Sequence, residues 1–251
     1  MLVKKHIYIL MLLIFIVFAF ASCKTDEVLP SSALEESSVT KIPETIDMVA
    51  ATKVFYKALP VDESYFDDAV FIGDSRTQGF IFYNGLSNVI AYMEKGLNVE
   101  KALEKPVIEM NGKQLTVVDA LAEGKSFNKV YIMLGVNELG WAYSDIFIEK
   151  YSELVDKIKE VNPEALIYIQ SILPVSEEKS SSDKIYNMDK INEYNALIKL
   201  MAEEKGAIYL NVFEAVVNDK GYLPENASTD GVHLKKDYCK LWFDYLKDNA
   251  V

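Results

Sequence analysis

The stretch Ala69-Val70-Phe71-Ile72-Gly73-Asp74-Ser75-Arg76 decides how the rest of the chain is read. Four apolar residues stop at a glycine, an acid and a serine, and an amphipathic segment follows. This pattern predicts a buried strand over 69–72, a tight turn, and a helix that begins at or beside Ser75. A serine there stands at the carboxyl end of a strand, where open α/β sheets bind their ligands. It also faces the positive end of a helix dipole, which favours an alkoxide or oxyanion. A plainer reading stands beside this one. Gly, Asp and Ser all favour turns and helix caps, so the tripeptide alone does not require chemistry.

Outward from this stretch, strand and helix signals alternate. Residues 89–93 read as a second strand, ending at Glu94-Lys95-Gly96. Residues 107–117 alternate around Asn111-Gly112, a hairpin signal inserted between α/β units. A short helix is expected over 118–122. The apolar run 129–134 is typical of a central parallel strand and ends in Gly135-Val136-Asn137-Glu138. Helical spacing over 145–161 closes at Asn162-Pro163, and a strand over 165–173 stops at Pro174. Residues 176–183 read as a polar loop, and 189–205 as a helix closed by Gly206. The last strand is expected over 207–212. A loop then leads to Asp230-Gly231-Val232-His233 and a final helix carrying Tyr238, Leu241, Trp242, Tyr245 and Leu246. Such alternation predicts a mainly parallel sheet covered on both faces, an α/β sandwich.

Composition narrows the function classes. The chain has 251 residues, 50% of them hydrophobic, which suits one globular domain with extras. Its 26 Lys and Arg face 38 Asp and Glu, for a net charge of −12. An acidic body of this kind argues against nucleic acid as a partner, and against an anionic membrane surface. Arg76, beside Ser75, is the sole arginine, and the two histidines are His6 and His233. Beyond the N-terminal leader, His233 is therefore the one imidazole available for acid–base work. A multi-histidine metal site is excluded, and no metal is expected. Cys23 and Cys239 offer neither a disulfide framework nor a CxxC pair. Cys239, at helical spacing, reads as a small buried apolar residue.

The N-terminus reads as a leader over 1–22, with Lys4 and Lys5 followed by an apolar run over 7–21. That run is shorter than the roughly 20 residues a spanning helix takes and suits a signal-peptide core. Phe20-Ala21-Ser22-Cys23 resembles the lipobox of bacterial lipoproteins, with Phe20 where that motif usually has Leu. The resemblance implies a lipid on Cys23 and an extracytoplasmic domain held to the membrane by it. Cleavage after Ala19-Phe20-Ala21, giving a secreted protein, and an uncleaved anchor are the alternatives. Residues 23–53 are rich in Ser, Glu, Thr and Pro and read as a flexible tether, and the folded domain is expected over 54–251.

The residues able to carry chemistry all fall where a strand ends: Ser75 after the first, Gly96 after the second, Asn137 after the third, and Asp230 with His233 after the last. A serine nucleophile needs a base, a carboxylate to orient that base, and donors for the oxyanion. His233 can be the base. Asp230, three residues earlier, can accept its other ring N–H. The backbone N–H groups of Ser75 and Gly96 and the amide of Asn137 can form an oxyanion hole. Arg76, Glu138, Trp141 and Tyr143 are candidates to line the substrate cleft. Each has a plainer reading as a turn, cap, solvated or core residue.

Gly73-Asp74-Ser75, then Gly96, then Gly135-x-Asn137, then Asp230-x-x-His233, resemble the four blocks of the SGNH (GDSL) hydrolases in order. The resemblance runs from about Asp68 to the C-terminus. It implies a flavodoxin-like three-layer α/β/α sandwich and the roles just given to Ser, Gly, Asn and His, with no cofactor. Glu138 stands where the family usually has Asp, and Arg76 where its name has leucine. The expectation is a serine esterase acting on small esters, with O-acetyl groups on carbohydrate favoured. Alternatives are an O-acetyltransferase on the same triad, a lysophospholipase or short-chain lipase, and a non-catalytic binding lipoprotein.

Overall fold

A computed structural model describes residues 60–251. The leader over 1–22, Cys23 and the tether over 23–53 lie outside the described residues. The opening stretch is strand β1 (Ala69–Gly73), followed by β2 (Ile90–Met93), β3 (Ile108–Met110), β4 (Lys113–Leu115), β5 (Lys129–Met133), β6 (Leu166–Gln170) and β7 (Ile208–Leu210). Five of these form one sheet in the order β2-β1-β5-β6-β7. Every neighbouring pair in it is parallel. β3 and β4 pair separately as an antiparallel hairpin, turned by Asn111 and Gly112 at φ 53° and 76°. Positive φ at both central positions is what Asn-Gly supplies most readily.

The helices are α1 (Ser75–Asn84), α2 (Val99–Glu104), α3 (Val117–Glu123), α4 (Ser144–Val161), α5 (Glu177–Ser182), α6 (Met188–Glu204) and α7 (Lys236–Asp248). Alternation along the strands decides which helix meets which face. Val70, Ile72, Val130, Ile132, Ile167 and Ile169 join a core with α2, α3, α4 and α6. Ala69, Phe71, Tyr131 and Tyr168 face the other way, onto α1 and α7. There the rings of Phe71 and Tyr131 stack at 4.9 Å, and those of Tyr131 and Tyr168 at 4.3 Å. These residues are register partners on adjacent strands, so one aromatic column locks β1, β5 and β6 together. The result is the three-layer α/β/α sandwich expected from the sequence.

The first strand, β1, lies one place in from an edge of the sheet; the chain steps outward to β2, then returns to the other side of β1 to lay down β5, β6 and β7. The order of strands therefore reverses direction at β1, the topological switch point where open sheets leave a crevice. Three elements depart from expectation. Residues 176–183 contain α5, capped by Ser176, whose Oγ accepts from the Lys179 N–H at 3.1 Å. This helix buries none of its residues, so no apolar period marked it. α2 was likewise unmarked, because it is one and a half turns long; its signal is the cap Asn98, which accepts from the Lys101 N–H at 2.8 Å. β6 also ends at Gln170, before the expected 173. Ile172 exchanges both of its backbone hydrogen bonds with the Asn195 side chain of α6 instead.

Candidate active site

Gly73 closes β1 where no other residue fits. A Cβ there would collide with the Thr77 side chain and come within 3.0 Å of the Met133 carbonyl. Asp74 then caps α1, its Oδ1 accepting from the Arg76 N–H at 2.8 Å. Ser75 is the first helical residue, a position whose N–H has no intrahelical acceptor. The cap reading and the catalytic reading of Gly-Asp-Ser are thus both satisfied by one turn.

The second strand end supplies Gly96, held at φ 71°. Its carbonyl accepts from Lys101 Nζ at 2.9 Å, while its N–H takes no acceptor among the described residues. Asn137, after β5, donates through Nδ2 to Asp74 Oδ2 at 3.0 Å and to the Leu97 carbonyl at 2.8 Å. Asp74 therefore serves two elements at once, with one oxygen on the helix and the other on the Asn137 amide. Glu138 follows, fully buried. Its two carboxylate oxygens accept from the N–H groups of Val99 at 2.8 Å and Gly135 at 3.1 Å. It ties the loop carrying Asn137 to the start of α2, directly after the loop carrying Gly96.

The third part comes from far along the chain. α7 packs beside α1, with Asn84 Nδ2 donating to the Cys239 carbonyl at 3.1 Å and Trp242 Nε1 to Gln170 Oε1 at 2.7 Å. The segment entering α7 is pinned where Ser228 and Leu234 bridge and the Lys235 N–H meets the Ala227 carbonyl at 2.8 Å. Within it, Asp230 Oδ1 accepts from the Val232 N–H, the His233 N–H and the Ser228 hydroxyl, each at 2.9 Å. Asp230 Oδ2 lies 2.6 Å from His233 Nδ1, and His233 Nε2 lies 2.9 Å from Ser75 Oγ. An ionised carboxylate only accepts, so Nδ1 carries the proton and Nε2 is left to accept from the serine hydroxyl. Burial pushes the Asp230 carboxyl up, but the bonds from His233, Val232 and Ser228 outweigh it and hold the group well below the usual carboxylate range.

A family model for the GDSL-like lipase/acylhydrolase family matches residues 71–237, two thirds of the chain, a span that includes Ser75, Gly96, Asn137, Asp230 and His233. This chain belongs to that family. No curated protein sequence matches it. Among solved structures, a Streptococcus pneumonia protein described as a candidate platelet activating factor is 20% identical, with a TM-score of 0.61 over 74% of this chain and 89% of that one. A GDSL-like lipase from Bacteroides thetaiotaomicron is 18% identical, with a TM-score of 0.52 over 76% and 87%. An acetylxylan esterase from Geobacillus stearothermophilus is 17% identical, with a TM-score of 0.52 over 73% and 94%. At these identities the likeness is one of fold. The acylhydrolase family makes this chain a serine ester hydrolase.

A cavity of about 160 Å³ opens at Ser75, Gly96, Asn137 and His233 of this acylhydrolase. Arg76 lines it. The other three residues offered as cleft lining do not. Glu138 points inward, where its carboxylate accepts from the two N–H groups, which have no other acceptor among the described residues. Burial, with the charge of Asp74, pushes its pKa up to about 8, against the pull of those N–H groups. Trp141 packs against the main core, and Tyr143, 65% exposed, sits just before α4. In their place Lys95, Val136, Tyr186 and Val232 line the cavity. Val232 was within reach of a sequence reading, since it lies inside Asp-x-x-His. Tyr186 was not, because only the tertiary fold brings the loop before α6 to Ser75. Larger surface depressions elsewhere, such as one walled by Ser176, Lys179 and Thr229, do not include Ser75. Cys239 is buried, and burial pushes its thiol up to about 12, which keeps it protonated and inert.

Proposed function

We propose that this acylhydrolase uses Ser75 as nucleophile, His233 as general base and acid, and Asp230 as the carboxylate orienting His233. Its task is to remove small acyl groups, acetyl above all, from carbohydrate outside the cytoplasmic membrane. The observation that carries the reading is the unbroken line of hydrogen bonds from Ser75 Oγ through the imidazole to Asp230, beside the unengaged N–H of Gly96. Ser75 Oγ attacks the ester carbonyl carbon while His233 Nε2 takes its proton. Nε2 then returns that proton to the leaving alkoxide as the carbon–oxygen bond breaks. Water attacks the acyl-serine by the same route, releasing the acid and restoring Ser75. The developing oxyanion is received by the N–H groups of Ser75 and Gly96. Asn137 joins by sharing one of its two committed N–H bonds, and each such donor is worth about 3–4 kcal/mol in the transition state.

The small cavity supports a short acyl group, and the acetylxylan esterases among the structural neighbours support acetylated glycan. The extracytoplasmic setting rests on the apolar run over 7–21 and on Cys23. An ester series on the full chain, from acetyl to long acyl and including acetylated oligosaccharides, tests the substrate class. Acetyl esters should turn over fastest; a preference for long acyl chains would overturn it. Incorporation of labelled fatty acid, lost on Cys23→Ser, tests the anchor, and an unlabelled wild-type protein would overturn that part.

A further inference from the structure

The one arginine of the chain sits in the site with two of its three guanidinium nitrogens unpartnered among the described residues. Arg76 is 3% exposed and lines the cavity beside Ser75. Its Nη1 donates to the Leu173 carbonyl at 3.1 Å, whereas Nε and Nη2 have no partner among the described residues. Those two nitrogens form one edge of the planar fork, the edge whose parallel N–H groups match the two oxygens of a carboxylate. A buried donor left unmade costs about 1–3 kcal/mol, more when charged. Burial accordingly pulls the guanidinium below its ordinary value, while Asp74, Tyr186 and Asp230 pull the other way. Asp74 gives that edge no bond: its oxygens accept from the Arg76 N–H and the Asn137 amide, and neither reaches Nε or Nη2. Lys95, exposed at the same cavity, adds a second cation there, in a chain whose net charge is −12.

We propose that the cavity is an anion subsite, in which Arg76 and Lys95 receive a carboxylate carried by the ester close to its scissile bond. The proposal deepens the esterase reading and rests on it. The carboxylate belongs either to the acyl group, as in a hemisuccinate, or to the alcohol, as in an acetylated acidic sugar, and both present the same fork to Arg76. Nε and Nη2 are closed off from bulk water, so seating the carboxylate moves a neighbouring side chain of the cavity wall. Once seated, the pair is shielded and discriminates sharply against a neutral isostere, which would leave the fork unpaired.

Paired substrates test it. On the acyl side, para-nitrophenyl hemisuccinate is compared with para-nitrophenyl isocaproate. On the alcohol side, meta-carboxyphenyl acetate is compared with phenyl acetate. The wild-type enzyme should favour the charged member of one pair by roughly tenfold or more in kcat/KM, and the pair that does so names the source. Arg76→Gln and, separately, Lys95→Ala should bring that ratio toward one. A ratio corrects for any loss of folded protein, and Lys95 is exposed, so its variant tests the subsite if Arg76→Gln does not fold. Ratios of one or less in both pairs, or a ratio that both variants keep, would overturn the subsite. Calorimetric binding of free succinate to Ser75→Ala, lost in the Ser75→Ala/Lys95→Ala double variant, reads the subsite without turnover. If the wild type cleaves no ester, the esterase reading fails and this titration alone decides the subsite: binding supports it and its absence overturns it.

Discussion

Ser75, Gly96 and Asn137 stand at the carboxyl ends of three adjacent strands, whereas Asp230 and His233 ride on a segment that no strand introduces. The first group rests on buried glycines, a buried cap and the buried Glu138. In the second, the side chains of Asp230 and His233 are 52% and 49% exposed. Positional accuracy on the sheet side comes from packing, which makes the site and the fold hard to separate. On the loop side it comes from a single carboxylate that organises four donors, so the chemistry can be removed while the fold stays. The difference orders the following expectations.

The largest effect is expected from Ser75→Ala, with turnover of a chromogenic acetyl ester falling by roughly 10³–10⁶-fold and the circular-dichroism melt unchanged. Retained turnover would sink the mechanism. Asp230→Asn should lower kcat by roughly 10²–10⁴-fold, less than His233→Ala, because the amide still accepts backbone N–H groups but loses control of the tautomer. Equal losses in the two variants would show that Asp230 does more than orient the ring. Glu138→Ala should behave in the opposite way. It strands the N–H groups of Val99 and Gly135, and a loss of about 2–4 kcal/mol in urea unfolding is expected. If that variant unfolds like the wild type, the packing account of the sheet side is wrong.

The last expectation is one of pH. The Glu138 carboxyl is raised to about 8 in the folded protein from an ordinary value of 4.5. Between those values the folded chain binds more protons than the unfolded chain, so unfolding free energy falls as pH rises through this window. Glu138→Gln carries no titrating group there, and urea midpoints measured from pH 5 to pH 8 should decline less steeply than those of the wild type. Matching slopes would remove Glu138 from the account.

Much of this design was legible in the sequence, for a physical reason. Parallel strands buried on both faces read as apolar runs, and the residue that follows each run must reach the ligand edge of the sheet. Ser75 and Asn137 could therefore be placed from the sequence alone, and His233 because it is the one imidazole beyond the leader. Glu138 could not, since a carboxylate after a strand is most often solvated, and only the start of α2 folding against it supplies the two N–H groups that bury it. Short α2 and polar α5 were hidden because caps, and not apolar periodicity, specify them. Tyr186 entered the cavity through a contact between distant loops, which no local pattern encodes.

The base and the nucleophile are separated by 158 positions along the chain. A protein made from its N-terminus can complete the five-stranded sheet, with Ser75 and its oxyanion donors already in place, before the segment bearing His233 has emerged. Hydrolytic competence is thus the last property the molecule acquires. A proteolytic nick ahead of Asp230 would sever the base from the nucleophile along the chain, and with it α7, whose Trp242 and Leu246 are buried against the sheet.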